Sequence, residues 1–333
     1  MDPVSQGALG AVFAQTHGPK YALAKAALIG AIAGMLADLD VLIRSSTDPL
    51  LAIEFHRHFT HSLLFIPLGG LLGSLLLYPL LGRRWQLSYR QTLVWCMIGF
   101  ATHGLLDGCT TYGTKLLWPV SDQRYSLDII PIVDPLFTVP LLALVGMAAL
   151  TKKRRYVLGG LLWGALYLSA GYVQHERATA MGLKLAQERG HSVLRLEVKP
   201  SFANLAVWKV LYETDQRFYV AAVKPGIFKT LVWPGDNIQK LDIQRDFPWL
   251  DPVSQQARDI QRFSLSSAGY LAVDPMDSRR IGDVRYSMLP HKIAPLWGIQ
   301  LSPTAGAGAH VAFYTLRDDA RTAVMRLAVM IFE

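Results

Sequence analysis

The sequence predicts an α-helical membrane domain of about five membrane-associated helices followed by a soluble, strand-rich α+β domain. Three observations carry this. Uncharged runs near the length needed to span a bilayer recur within the first 175 residues. Lys and Arg gather in the short loops on one side of those runs. From about residue 176 the pattern changes to short β-branched and aromatic segments broken by Pro, Gly and Asp.

In chain order, residues 26–37 form a short apolar piece extended by the acidic "ADLDVLI". Residues 62–82 carry no charge until Arg83, enough to cross a hydrocarbon core of ~30 Å as a helix. Residues 91–106 follow with His103 inside them, then 135–151 behind Asp134, then 156–174. With 51% hydrophobic and 17% charged residues in a chain of 333, a large soluble helical core is the competing reading. Repeated uncharged runs of this length are rare in soluble proteins and disfavour it. The opening "MDPVSQGALGAVFAQTHG" lacks the basic, apolar and small-residue regions of a removable signal, so insertion is expected to rest on the internal helices. Cys96 and Cys109 offer no disulfide framework.

The net charge of +8 raises the question of nucleic acid, but its placement points to topology. Lys20, Lys25, Arg83, Arg84, Arg90 and Lys152 to Arg155 lie in segments of one side, and only Arg44, Arg57, Lys115 and Arg124 in those of the other. Short basic loops stay cytoplasmic. The expected orientation therefore has the N-terminus inside and the loops 44–61 and 109–134 outside. The domains expected are 1–175, helical and membrane-embedded, and 176–333, extracytoplasmic. In the latter, "GHSVLRLEVKP", "FYVAAVKPG", "KTLVWPGD" and "GYLAVD" read as strands and "DPVSQQARDIQRF" as a helix. "AVMRLAVMIF", too short to span and carrying Arg326, is expected to be a terminal strand.

Four polar clusters interrupt the apolar runs: Asp38 and Asp40; His56, His58 and His61; His103 and Asp107; and Asp122, Asp128 and Asp134. In the expected topology all four emerge at one face. Ionisable groups in membrane segments are costly and make functional candidates. Imidazoles and carboxylates converging at one level suit zinc or another divalent ion, which activates water. His103 and Asp107, four apart, share a helical face. Asp38 and Asp40, two apart, would point nearly opposite ways on a regular helix, so either the helix ends there or only one reaches the site. His56 and His61, five apart, need a loop or helix start between them. Asp134 before Pro135 reads equally as a helix cap. His17, His175, His191, His291 and His310 have no partner at ligand spacing and read as ordinary.

"GMLADLDVLI", "HRHFTHSLL", "THGLLDGCTTYGTKLLWPVSDQRYSLD" and "IVDPLFTVPL" resemble the YdjM-like family of membrane-bound metal-dependent hydrolases over about residues 1–150. The resemblance implies a bacterial inner-membrane protein whose metal and active-site blocks map onto Asp38, Asp40, His56, Arg57, Thr60, His61, His103 and Asp107. His58 stands where the family usually has glycine and is taken as an extra histidine. Gln6 stands where many members carry histidine. The family is distantly similar to the zinc-dependent phospholipase C and single-strand nuclease superfamily, which makes a phosphoester substrate the natural expectation.

The expectation is then a hydrolase with a divalent ion, zinc by preference, held among Asp38, Asp40, His56, His61, His103 and Asp107. Asp40, Arg57 and Asp107 are the candidates for the chemistry, with Arg57 either holding an anionic oxygen or snorkelling at the interface. Thr60 and Ser62 are candidate caps of the following helix. The partners implied are membrane lipids and a lipid-linked or other phosphoester substrate, with no nucleic acid. A proton- or ion-coupled transporter would place its polar groups near the midplane. A metal-clamped scaffold without catalysis is the remaining alternative.

Overall fold

A computed structural model describes residues 1–226, 229–317 and 319–333. The chain divides into two units. One comprises Met1–Ile43, Phe55–Val173 and Phe202–Asn204; the other comprises Arg44–Glu54, Gln174–Ser201 and Leu205–Glu333.

The first unit is helical: α1 (Pro3–His17), α2 (Leu23–Met35), α4 (Ile66–Leu77), α5 (Tyr89–Gly108), α6 (Pro135–Thr151) and the start of α7 (Arg154–Glu188), with α3 (Leu51–Phe55) leading back into it. Three helical stretches are long and apolar enough to span a membrane: Lys20–Leu42, Leu63–Gly82 and Arg154–Glu188. Leu72, Leu75 and Leu76 on α4, and Leu158, Leu162 and Leu166 on α7, are all at least half exposed, as a lipid-facing surface requires. The packing of α1, α2 and α5 depends on small residues. A Cβ at Gly30 would collide with Ala14 and the Gly10 carbonyl, and one at Gly99 with the Gly30 carbonyl. In lipid, where apolar contact alone does not drive helices together, such close backbone approach is a principal source of association.

α1 was not among the expected helices, and it changes the topology. Asp2 caps it, accepting from Val4 and Ser5, and the Asp2 N–H donates to the Ile132 carbonyl at 2.8 Å. The Met1 amino group reaches Asp107. The first residues thus share one end of the bundle with the Asp/His clusters, whereas the sequence reading put the N-terminus at the opposite side. One additional helix ahead of α2 is the reason.

α7 runs unbroken for 35 residues, about 52 Å at 1.5 Å per residue, so the stretch expected to link the domains is a continuation of the last helix. The second unit contains two antiparallel meanders. The first is β1 (Arg195–Pro200), β2 (Trp208–Glu213), β3 (Arg217–Pro225) and β4 (Thr230–Gln239). After α8 (Ile243–Asp246) and α9 (Gln255–Ser266) comes the second: β5 (Leu271–Asp274), β6 (Asp277–Asp283), β7 (Trp297–Gln300) and β8 (Ala312–Thr315). This is the helical region and strand-rich domain the composition predicts. The terminal "AVMRLAVMIF" is helix, α10 (Ala320–Phe332), not strand. Its buried residues Ala323, Leu327 and Met330 fall at helical spacing, while Arg326 stays exposed.

Candidate metal centre

Four side chains converge at one end of the helical unit. One ligand-type atom from each of Asp38, His61, His103 and Asp107 lies within 4.8 Å of every other. Each is brought there by a local feature of the chain. α2 tightens after Met35 into a 3₁₀ segment, Leu36–Leu42. At three residues per turn, Asp38 and Asp40 are about 120° apart instead of nearly opposed. Asp38 therefore enters the cluster while Asp40 lies behind His61. α5 supplies His103 and Asp107 from one face, Nε2 to Oδ2 at 3.7 Å. His61 ends a short 3₁₀ turn, Phe59–His61, whose backbone presses on α5 at Gly104; a Cβ there would strike the His61 carbonyl.

The two imidazoles face each other Nε2 to Nε2 at 3.0 Å. His103 Nδ1 lies 2.5 Å from the Gly34 carbonyl oxygen, which can only accept, so Nδ1 carries a proton and Nε2 is the ring nitrogen turned to the cluster. His61 Nδ1 is backed by the Thr60 hydroxyl at 2.9 Å and by Asp40 Oδ2 at 3.6 Å. This is the outer-shell support that orients ligating imidazoles. The acceptor atoms are in excess. Asp107 Oδ2, fully buried, makes no hydrogen bond, although Arg57 Nε is 3.0 Å away and His61 Nε2 3.3 Å. Asp38 Oδ1 lies 3.3 Å from His103 Nε2 and 3.5 Å from His61 Nε2. Two nitrogen and two carboxylate donors, with a buried oxygen left unsatisfied, fit a divalent cation of the zinc type.

The remaining expected residues surround this set without joining it. Asp40 Oδ2 accepts the Arg57 N–H at 2.7 Å, and its Oδ1 has no hydrogen bond. His56, a third exposed, places Nδ1 3.5 Å from that Oδ1. Arg57 sits in the left-handed region at φ 57°, which supplies the turn needed between His56 and His61. It is neither exposed nor snorkelling: 3% accessible, it donates through Nη1 to Thr110 Oγ1 at 2.6 Å, and its guanidinium carbon lies 5.5 Å from the Tyr112 ring centre. His58 packs among Phe55, Phe59 and Trp118, away from the four donors. Burial, with Lys115 and Arg124 nearby, holds its imidazole below the ordinary value. Asp134 caps α6, accepting from Leu136 and Phe137, and also takes the Tyr167 hydroxyl at 2.7 Å. Asp122 pairs with Lys115 at 2.8 Å. Ser62 caps the turn Leu63–Phe65.

Sequence reasoning gave no role to Gln6, yet its Nε2 donates to Asp107 Oδ1 at 2.8 Å and to the His103 carbonyl at 3.3 Å. The available signal was its place in the resemblance, where many members carry histidine. Thr110 was also missed, and nothing in its spacing marks it. His310, read as unpartnered, lies 2.8 Å from Asp259 in the second unit, a contact between residues fifty-one positions apart.

The model of the family described as YdjM inner membrane protein matches residues 1–178. Inner membrane protein YbcI of Escherichia coli (strain K12) is 37% identical over 105 residues, 29% of this chain and 54% of that protein. The uncharacterized protein YfhP of Bacillus subtilis (strain 168) is 26% identical over 127 residues, 38% of each chain. The chain thus spans about half, or less, of the length of these relatives. No solved structure matches it. A family match over more than half of the residues, on the unit that holds the cluster, establishes that the chain belongs to the YdjM inner membrane protein family.

Proposed function

We propose that the chain is a metal-dependent hydrolase of the inner membrane that cleaves a phosphoester, with a lipid-linked substrate the best fit. The observation that carries this is the set of four facing donors with a buried, unsatisfied carboxylate oxygen. Asp38, His61, His103 and Asp107 would hold the ion. When bound, such an ion supplies Lewis acidity, lowering the pKa of water at the site and polarising a phosphoryl or carbonyl oxygen. The protein's own groups divide the other tasks. Asp40 and Thr60 orient His61, the Gly34 carbonyl fixes the tautomer of His103, and Gln6 holds Asp107. His56, partly exposed and backed by Asp40, is placed to accept a proton from water. Arg57 donates through Nη1 to Thr110 and pairs by charge with Asp107, Nε to Oδ2 at 3.0 Å; its Nη2 makes no hydrogen bond within the described residues and is left for an anionic substrate oxygen.

One observation favours a lipid-linked substrate: the centre lies at the end of helices long and apolar enough to span. With the basic loops held in the cytoplasm, this end and the second unit would face the extracytoplasmic side. The test is metal analysis of the detergent-purified protein beside His103→Ala, followed by assay on bis-p-nitrophenyl phosphate. Stoichiometric divalent metal and metal-dependent hydrolysis in the wild type, both absent from the variant, are expected. A wild type that binds no divalent ion overturns the reading. Metal without hydrolysis of any phosphoester would turn it towards a metal-clamped scaffold.

A further inference from the structure

Residues 44–54 separate the two stretches that furnish the centre, with Asp38 and Asp40 before them and His56, Arg57 and His61 after. By its contacts this excursion belongs to the second unit. Leu50, 1% exposed, is part of a core with Phe247, Ile260, Phe263 and Ile281, and Ile53 packs against it. Arg262 of α9 closes over the excursion. Its Nε and Nη2 donate to the Glu54 carboxylate at 2.6 and 2.8 Å, and Nη1 and Nη2 donate to Asp48 at 3.1 and 2.7 Å. Nη1 also donates to Asp259 at 3.0 Å. All five guanidinium N–H groups are used, in two forked carboxylate pairs and one further bond.

An isolated surface ion pair contributes little, because solvent and side-chain entropy offset it. This one differs in its anchorage. Asp259, fully buried, is held from behind by Gln255, His310 and the Val311 N–H, so the guanidinium is fixed before it meets its partners. Asp48 Oδ1 also accepts the Leu50 N–H at 3.0 Å, which ties the ion pair to the first residues of α3. α3 ends at Phe55, the next residue is His56, and the one after is Arg57, whose N–H is bound to Asp40. Fifteen residues connect Asp40 to His56, and a free connection of that length would leave the second stretch to find its place against a large loss of chain entropy.

We propose that Arg262 is a positioning residue for the centre: by clamping Asp48 and Glu54 it fixes the 44–54 excursion and, along the chain, sets His56, Arg57 and His61; the catalytic consequence rests on the metal-centre reading above.

The test uses the full chain in detergent and two readouts. In Arg262→Gln, amide hydrogen exchange over residues 56–65 should rise about tenfold or more, while residues 99–108 of α5 keep the wild-type rate. Zn²⁺ affinity should fall about tenfold, as for loss of an outer-shell support. Glu54→Gln, which spares the bonds of Arg262 to Asp48 and Asp259, should give the same local rise at smaller size. Inserting two glycines after Glu54 leaves the clamp intact but severs its reach, so it should lower Zn²⁺ affinity alike, and adding Arg262→Gln should lower it no further. Unchanged exchange over 56–65 in Arg262→Gln, or a uniform rise across the chain, overturns the proposal. A wild type without Zn²⁺ affinity overturns the metal-centre reading instead, and the exchange experiment still decides the clamp.

Discussion

Asp259 in the second unit and Asp107 in the first are both fully buried carboxylates with histidine beside them. Around Asp259 every acceptor position is taken: Gln255 and Arg262 donate to one oxygen, His310 and the Val311 N–H to the other. Around Asp107 one oxygen takes the Gln6 amide and the Met1 amino group, and the other faces Arg57 and two imidazole nitrogens without a hydrogen bond. The residue types are alike. What separates a structural network from a candidate centre is whether the buried polar atoms are satisfied, since an unsatisfied one costs free energy unless something else binds it.

The largest expected effect tests that contrast directly. His103→Ala or Asp107→Asn should lower divalent-metal affinity by more than about 100-fold, beyond the range for outer-shell changes. Asp259→Asn, which can reach the centre only through Arg262, should lower that affinity by no more than about tenfold and cost about 1–3 kcal/mol in unfolding experiments. Because an ion stabilises only the state that assembles its site, chelation and His103→Ala should each lower Tm without adding. Full additivity would remove His103 from the centre, and loss of metal in Asp259→Asn would erase the distinction between the two regions.

Asp40→Asn sharpens the comparison within the first unit. As the carboxylate behind His61 it should cost about 10–100-fold in metal affinity when neutralised, less than a donor and more than a bystander. An effect as large as that of Asp107→Asn would place Asp40 among the donors.

The second unit carries its own buried charge. Lys209 Nζ has only neutral partners, Ser287 Oγ at 2.7 Å and the Lys292 carbonyl at 3.1 Å. Burial brings its ammonium down to about 7, against the opposing pull of Asp283. Between that value and the ordinary 10.5 the unfolded chain holds a proton that the folded chain has released. Stability should therefore rise with pH through this window, by up to about 1.4 kcal/mol per pH unit. Lys209→Met should flatten the slope in denaturant titrations at pH 7 and 9; an unaltered slope would show that other groups produce it. The smallest effect is expected at His58: His58→Gly should retain the full metal content, and its loss would mean that all three clustered histidines serve the ion.

Much of the helical unit was legible because its signal is local. An uncharged run of twenty residues states its own environment, and the i, i+4 pair His103 and Asp107 states its own face. α1 escaped because its alanines, glycines and Gln6 are too small and too polar to read as a span, although Gly10 and Ala14 are what let α2 pack against it. The C-terminal helix escaped because a ten-residue apolar run is compatible with either period until its burial is known. Asp40 was counted with the ligands because neither the 3₁₀ tightening after Met35 nor the position of His61 can be read from spacing.

By itself the sequence determined which segments prefer lipid, which side of them is basic, where strands replace helices, and which side-chain chemistries are available. These follow from hydrophobicity, periodicity and charge, properties of neighbouring residues. Only the tertiary structure decided which four donors face one another, that Asp40, Thr60 and Gln6 stand behind them, that Arg57 is buried, and that Arg262 holds the segment between Asp40 and His56. Those relations join positions tens to hundreds of residues apart. They depend on glycines that let backbones touch and on hydrogen bonds completed only when distant elements meet, and no local pattern encodes such a meeting.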